Sequence, residues 1–134
     1  MKTAELKLFK WWNAGGWGLV LLVIFLSVIP SPEKTPSFQG ADKLFHSLAY
    51  TVLMLWFGAL HTSRGVRLRT GLALVFMGSA LELIQGLLGY RTLSTADMAA
   101  NALGILLGLL LCLTPLSGMF QLAESLILSD REIS

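Results

Sequence analysis

Cysteine occurs once in the 134 residues, charged side chains make up only 13% of them, and lysine and arginine never form a long run. The lone Cys112 lies inside an apolar block, so no intramolecular disulfide can form and the residue reads as a small packing group. Without a basic run there is no nucleic-acid-binding arm, and no nucleic-acid partner is expected. A nucleophile elbow and a zinc-binding HExxH pattern are also missing. What is abundant is apolar: 54% of the chain, with a mean hydropathy of +0.70. A water-soluble domain this small could not hide so much apolar surface, which points to an all-α integral membrane protein.

The apolar residues fall into four blocks, at 11–29, 42–60, 70–88 and 97–113, separated by short polar segments. A span needs about 20 mostly apolar residues, so each block is read as a transmembrane helix of one membrane domain covering 1–134. The first block ends at Pro30-Ser31-Pro32, and Ser27-Val28-Ile29-Pro30 lacks a small-residue cleavage pattern, so the block reads as a retained anchor rather than a signal peptide. Trp11, Trp12 and Trp17 read as interface residues. Lys2, Lys7 and Lys10 precede the first span, and Arg64, Arg67 and Arg69 are expected to fill the loop between spans two and three; the loops on the other side hold Lys34, Lys43 and Arg91. The positive-inside rule then puts both termini in the cytoplasm and turns loops 30–41 and 89–96 outward. Met119, Leu122, Ala123, Leu126 and Ile127 repeat at helical spacing in the 116–134 tail, compatible with a cytoplasmic amphipathic helix and equally with a frayed end.

Polar residues gather at the outward ends. Asp42, His46 and Tyr50 are spaced i, i+4, i+8 and form one stripe at the start of span two. Glu82 and Gln85 share a face near the end of span three, the carboxylate about 9 Å below the helix end at 1.5 Å per residue. Asp97 and Asn101 open span four behind Arg91 and Ser94. Charged groups facing lipid are costly, so these side chains should turn inward and meet. Gly78, Glu82, Gly86 and Gly89 share a face of span three, as do Asn101, Gly104 and Gly108 on span four, where the GxxxG pair permits close helix approach. His61, at the opposite end and without an acidic neighbour in sequence, reads as a boundary residue.

The run Asp42-Lys43-Leu44-Phe45-His46 with Tyr50, then Glu82-x-x-Gln85, then Arg91-x-x-Ser94-x-x-Asp97-x-x-x-Asn101-x-x-Gly104, resembles the pattern of VanZ-like membrane proteins over residues 40–108. The resemblance implies a small multispanning protein of the bacterial cytoplasmic membrane and cell envelope, the namesake being linked to low-level teicoplanin resistance. It implies no particular reaction. Span one and the tail add nothing distinctive to it.

Several functions fit such a cluster. As a binding site it would open outward, with Lys43, Arg91 and His46 engaging an anionic lipid headgroup, a lipid-linked cell-wall precursor or a glycopeptide-related ligand. As an enzyme it would use Glu82 and His46 as an acid–base pair on a headgroup, with Ser94 and Tyr50 candidate nucleophiles by proximity alone. A third reading is a structural ion-pair network, three carboxylates against Lys43 and Arg91, in an assembly or transport subunit. Below Tyr50, Gln85 and Asn101 no ionisable path continues, which weighs against a proton relay within one copy. A metal held by Asp42, His46, Glu82 and Asp97 is disfavoured by the single histidine and the adjacent cations, so neither metal nor cofactor is expected. Membrane lipids are the expected partners, with room for a second copy or another membrane protein.

Overall fold

A computed structural model describes residues 6–30, 40–89 and 92–132. Among these the chain is all-α: α1 (Phe9–Val28), α2 (Ala41–Leu60), α3 (Arg64–Leu87), α4 (Thr95–Leu111), a 3-10 turn at Pro115–Gly118, and α5 (Met119–Glu132). Three of these helices, α1, α2 and α3, are long and apolar enough to cross a membrane. The 17 residues of α4 reach only about 25 Å at 1.5 Å per residue. Joined across a 76° bend to the helical segment from Pro115, α4 becomes a fourth such element.

Polarity is inverted relative to a water-soluble bundle. Leu21 and Phe25 of α1, Leu72 and Phe76 of α3, and Leu103 and Leu110 of α4 are exposed, whereas Glu82, Gln85, Asp97, Asn101 and Glu124 are buried. A hydrocarbon solvent favours this arrangement, because it welcomes apolar side chains and penalises charge. Lipid tails are as apolar as leucine, so burial of apolar area cannot hold such helices together; close packing and interhelical hydrogen bonds must. The most intimate pair is α2 with α4. A Cβ on Gly108 would lie 2.5 Å from Met54 Cβ and 2.8 Å from the Thr51 carbonyl oxygen, and one on Gly104 would run into the Ser47 carbonyl oxygen. Thr51 Oγ1 lies 2.7 Å from the Ser47 carbonyl of its own helix and 3.0 Å from the Gly104 carbonyl of α4, sharing one proton between two acceptors. Leu53, Met54, Leu60, Leu74 and Ile105 fill the centre beneath this seam.

Three expectations change. Arg64, Arg67 and Arg69 belong to α3, not to a loop, and only residues 61–63 connect it to α2. Arginine is a good helix former, and the helix places Arg67 where it can cap its neighbours. Its Nε–H is shared between the Gly58 and His61 carbonyls at 2.8 and 2.9 Å, while Nη1 donates to Cys112 O at 3.2 Å, so one guanidinium serves the C-terminal carbonyls of both α2 and α4. Gly89 does not extend the α3 face; at φ +78° it lies just past the Leu88 C-cap and ends the helix in the left-handed conformation that glycine adopts freely.

Of the two readings of the tail, the helical one holds. Leu122, Leu126 and Ile127 of its stripe are exposed, Met119 packs against the core, and Phe120 and Glu124 dock. Phe120 sits with ring centroids 4.8 Å from Trp12 and 4.9 Å from Trp56. The Glu124 carboxylate accepts the Lys7 and Leu8 backbone N–H groups, each at 2.8 Å, and the Trp12 indole N–H at 3.0 Å. Of the three tryptophans read as interfacial, Trp11 and Trp17 are exposed, while Trp12 is part of this internal contact.

Candidate functional site

The end of the bundle opposite α5 is formed by the C-termini of α1 and α3 and the N-termini of α2 and α4. The i, i+4 spacing on α2 carries His46 inward to α4, where its Nδ1 lies 3.0 Å from Asn101 Oδ1. The same nitrogen is 3.8 Å from Glu82 Oε1 of α3, beyond hydrogen-bond reach but close enough for charge to matter. Glu82 and Asp97 are each only 2% exposed. Taking a carboxylate this far from water is costly unless cations or hydrogen-bond donors accompany it.

Lys43 supplies one cation. Its ammonium is 3.4 Å from Asp97 Oδ1 and 3.3 Å from Asp42 Oδ2, and with its side chain 46% exposed it bridges the buried carboxylate to the surface one. Asp42 is itself about half exposed and stands at the rim. Ser94, the N-cap of α4, accepts the Asp97 backbone N–H at its Oγ over 3.1 Å; this satisfies one of the helix's unpaired donors and ties the hydroxyl to a structural role. Arg91 lies outside the described residues.

Beside this cluster is a cavity of about 210 Å³. Its lining is mixed: Val23, Leu26, Phe45, Ala49 and Leu81 are apolar, and His46, Tyr50, Glu82, Gln85 and Asn101 are polar. Gly78 lets the polar side chains close up, since a Cβ there would lie 2.9 Å from Tyr50 Oη and 3.0 Å from Asn101 Nδ2. The Gln85 amide nitrogen donates to the Ser27 carbonyl of α1 at 2.6 Å. A carbonyl can only accept, so the other amide atom is the oxygen, and this buried Oε1 has no hydrogen-bond partner.

The structure therefore joins His46, Tyr50, Glu82, Gln85 and Asn101 around one cavity, brings Asp97 within 4.8 Å of His46 and Glu82, ties it through Lys43 to Asp42, and leaves Asp42 and Ser94 at the margin. Sequence reasoning missed the first helix. Ser27 fixes Gln85, and Val23 and Leu26 line the cavity. The available signal was a lone hydroxyl residue near the end of an otherwise apolar run, but its own Oγ bonds back to the Val23 carbonyl at 2.7 Å, and the useful group is its main-chain carbonyl, which residue identity does not reveal. Chemically, the polar lining offers a carboxylate, amide oxygens, an imidazole and a phenol, suited to orienting a small polar group, holding a cation or moving a proton. The chain matches no family model, no curated protein and no solved structure.

Proposed function

We propose that this chain is a four-span, VanZ-like protein of the bacterial cytoplasmic membrane, with both termini in the cytoplasm, that binds the headgroup of an envelope lipid or lipid-linked cell-wall precursor. The observation that carries the reading is the mixed lining of the cavity: Val23, Leu26 and Phe45 suit an acyl or polyprenyl chain, and His46, Tyr50, Glu82, Gln85 and Asn101 suit the headgroup. A cavity of about 210 Å³ suits a small polar headgroup rather than a whole glycopeptide, so the proposed ligand is the lipid, and any effect on glycopeptide drugs is indirect. The lysine and arginine distribution supports the orientation. Lys43 supplies a cation at the rim for a phosphate, and Arg91, three residues before Ser94 in sequence, is a second candidate.

Native mass spectrometry of protein purified in mild detergent tests this. The wild type should retain one envelope lipid, and Glu82→Gln, His46→Ala and Arg91→Ala should lose it while inserting at normal abundance. If all three variants keep the lipid, and cells carrying them respond to cell-wall-directed drugs as wild type does, the binding reading fails. A cysteine introduced beside Arg91 should react with an impermeant reagent from outside; labelling only from the cytoplasm would invert the orientation.

The 3.8 Å approach of His46 to Glu82 favours a second reading, acid–base hydrolysis or transfer on the same headgroup. Product release by purified wild type that vanishes in Glu82→Gln would turn binding into catalysis.

A further inference from the structure

His46, Glu82 and Asp97 come from three different helices, yet each can offer one donor atom such that all three atoms lie within 4.8 Å of one another. We propose that these three residues form a binding site for a divalent first-row cation such as Mn²⁺, Zn²⁺ or Co²⁺. One imidazole nitrogen with two carboxylate oxygens is a borderline-hard donor set of this kind. Three protein ligands with a position left for water or substrate also follow the pattern of reactive metal centres. Bonds of about 2.1 Å place neighbouring ligands about 3.4 Å apart in a tetrahedral shell, so the cluster must contract by roughly an ångström as the ion enters.

A further feature points to a cation. Gln85 provides the independent sign of a ligand: it is 3% exposed, it lines the cavity beside His46 and Glu82, and its Oε1 is an acceptor with no hydrogen-bond partner. Water in the coordination shell of a bound ion would donate to it. Sequence reasoning disfavoured a metal because the motif has a single histidine and adjoining cations; the fold leaves Asp42 at the rim and brings the other three candidates together, with Asn101 Oδ1, 3.0 Å from His46 Nδ1, near enough to join them.

The site stands apart from the lipid reading because the ion can be assayed alone. If both hold, the dication explains how an anionic headgroup enters a cavity walled by the Glu82 carboxylate.

The test is Mn²⁺ titration of the metal-stripped, lipid-free protein in detergent, followed by electron paramagnetic resonance. Wild type should bind one ion per chain, and its spectrum should show nitrogen modulation from the imidazole. Glu82→Gln and Asp97→Asn should each weaken binding by about tenfold or more. Lys43→Gln leaves every ligand in place and removes the competing ammonium, so it should tighten binding several-fold; it also covers the case in which the ligand variants fail to fold. Wild-type affinity weaker than about 1 mM, a spectrum without nitrogen modulation, or unchanged affinity in a folded Glu82→Gln protein would each overturn the site. Metal binding without lipid retention leaves this site standing and removes the lipid reading; the reverse result removes only the metal.

Discussion

Gly104 of α4 lies so close to the Ser47 carbonyl of α2 that a single added methyl would occupy the oxygen's space. The contact is backbone to backbone, so no side chain can rotate away to relieve it. It also holds the His46 and Asn101 ends of the two helices in register, one turn from the cavity.

Gly104→Ala should therefore cost about 1–3 kcal/mol through forced separation of α2 and α4, and should loosen the cavity as well. Gly18→Ala is the control, because nothing lies within 4 Å of a Cβ there, and replacing glycine inside a helix should stabilise by about 0.5–1 kcal/mol. Thermal unfolding in detergent distinguishes the two; equal melting temperatures would refute the close-packing account.

Arg67 caps two helices with one guanidinium, and Arg67→Met should strip donors from the Gly58, His61 and Cys112 carbonyls at a cost of about 2 kcal/mol. Lysine should rescue it only in part, since an ammonium lacks the planar fork that reaches both helix ends. Chemical unfolding of the Met and Lys variants beside wild type gives the ranking directly.

Glu124 ties α5 to the start of α1 through three accepted hydrogen bonds. Glu124→Ala should release α5, with a cost of about 2–3 kcal/mol and a change in Trp12 fluorescence as its indole loses both its acceptor and Phe120. Limited proteolysis should then cut after Gly118 in the variant before it cuts the wild type. Unchanged fluorescence and cleavage would mean that α5 is held by Phe120 alone.

His61 gives a pH dependence with a defined sign. Its ring packs edge-on to Phe9, with centroids 5.8 Å apart, and burial lowers its pKa below the ordinary 6.5. The unfolded chain thus takes up the proton more readily than the folded one. This contribution to stability is complete above the ordinary histidine value and is lost as pH falls from there through the lowered folded value. His61→Gln should flatten that part of the profile, measured as melting temperature between about pH 7.5 and 5; an equally steep fall in the variant would assign the effect elsewhere.

Ala49→Phe probes the cavity without altering a polar group. Ala49 lines the cavity, and a phenyl ring there should project into the space and obstruct it. The variant should insert and keep its helical circular dichroism while losing the retained lipid. Full lipid retention would place the ligand outside this cavity.

The chain by itself determined which residues are helical and which are costly to leave in lipid. Long apolar runs and i, i+4 spacing are local properties, so α2 is expected at 42–60 and found at Ala41–Leu60, and Glu82, Gln85, Asp97 and Asn101 are expected to turn inward and are found buried. The start of α3 was less legible, because a basic first turn looks the same whether it is loop or helix until its carbonyl partners are known. Only the tertiary structure decided the contacts that join distant segments. Glu124 meets Lys7 across 117 positions of chain, Gln85 meets a main-chain carbonyl of α1, and His46 faces Asn101 rather than its own helix neighbours. Periodicity within a helix says which face is polar, but not which helix that face will meet; that depends on how closely the backbones approach, and here Gly104 and Gly108 set the distance.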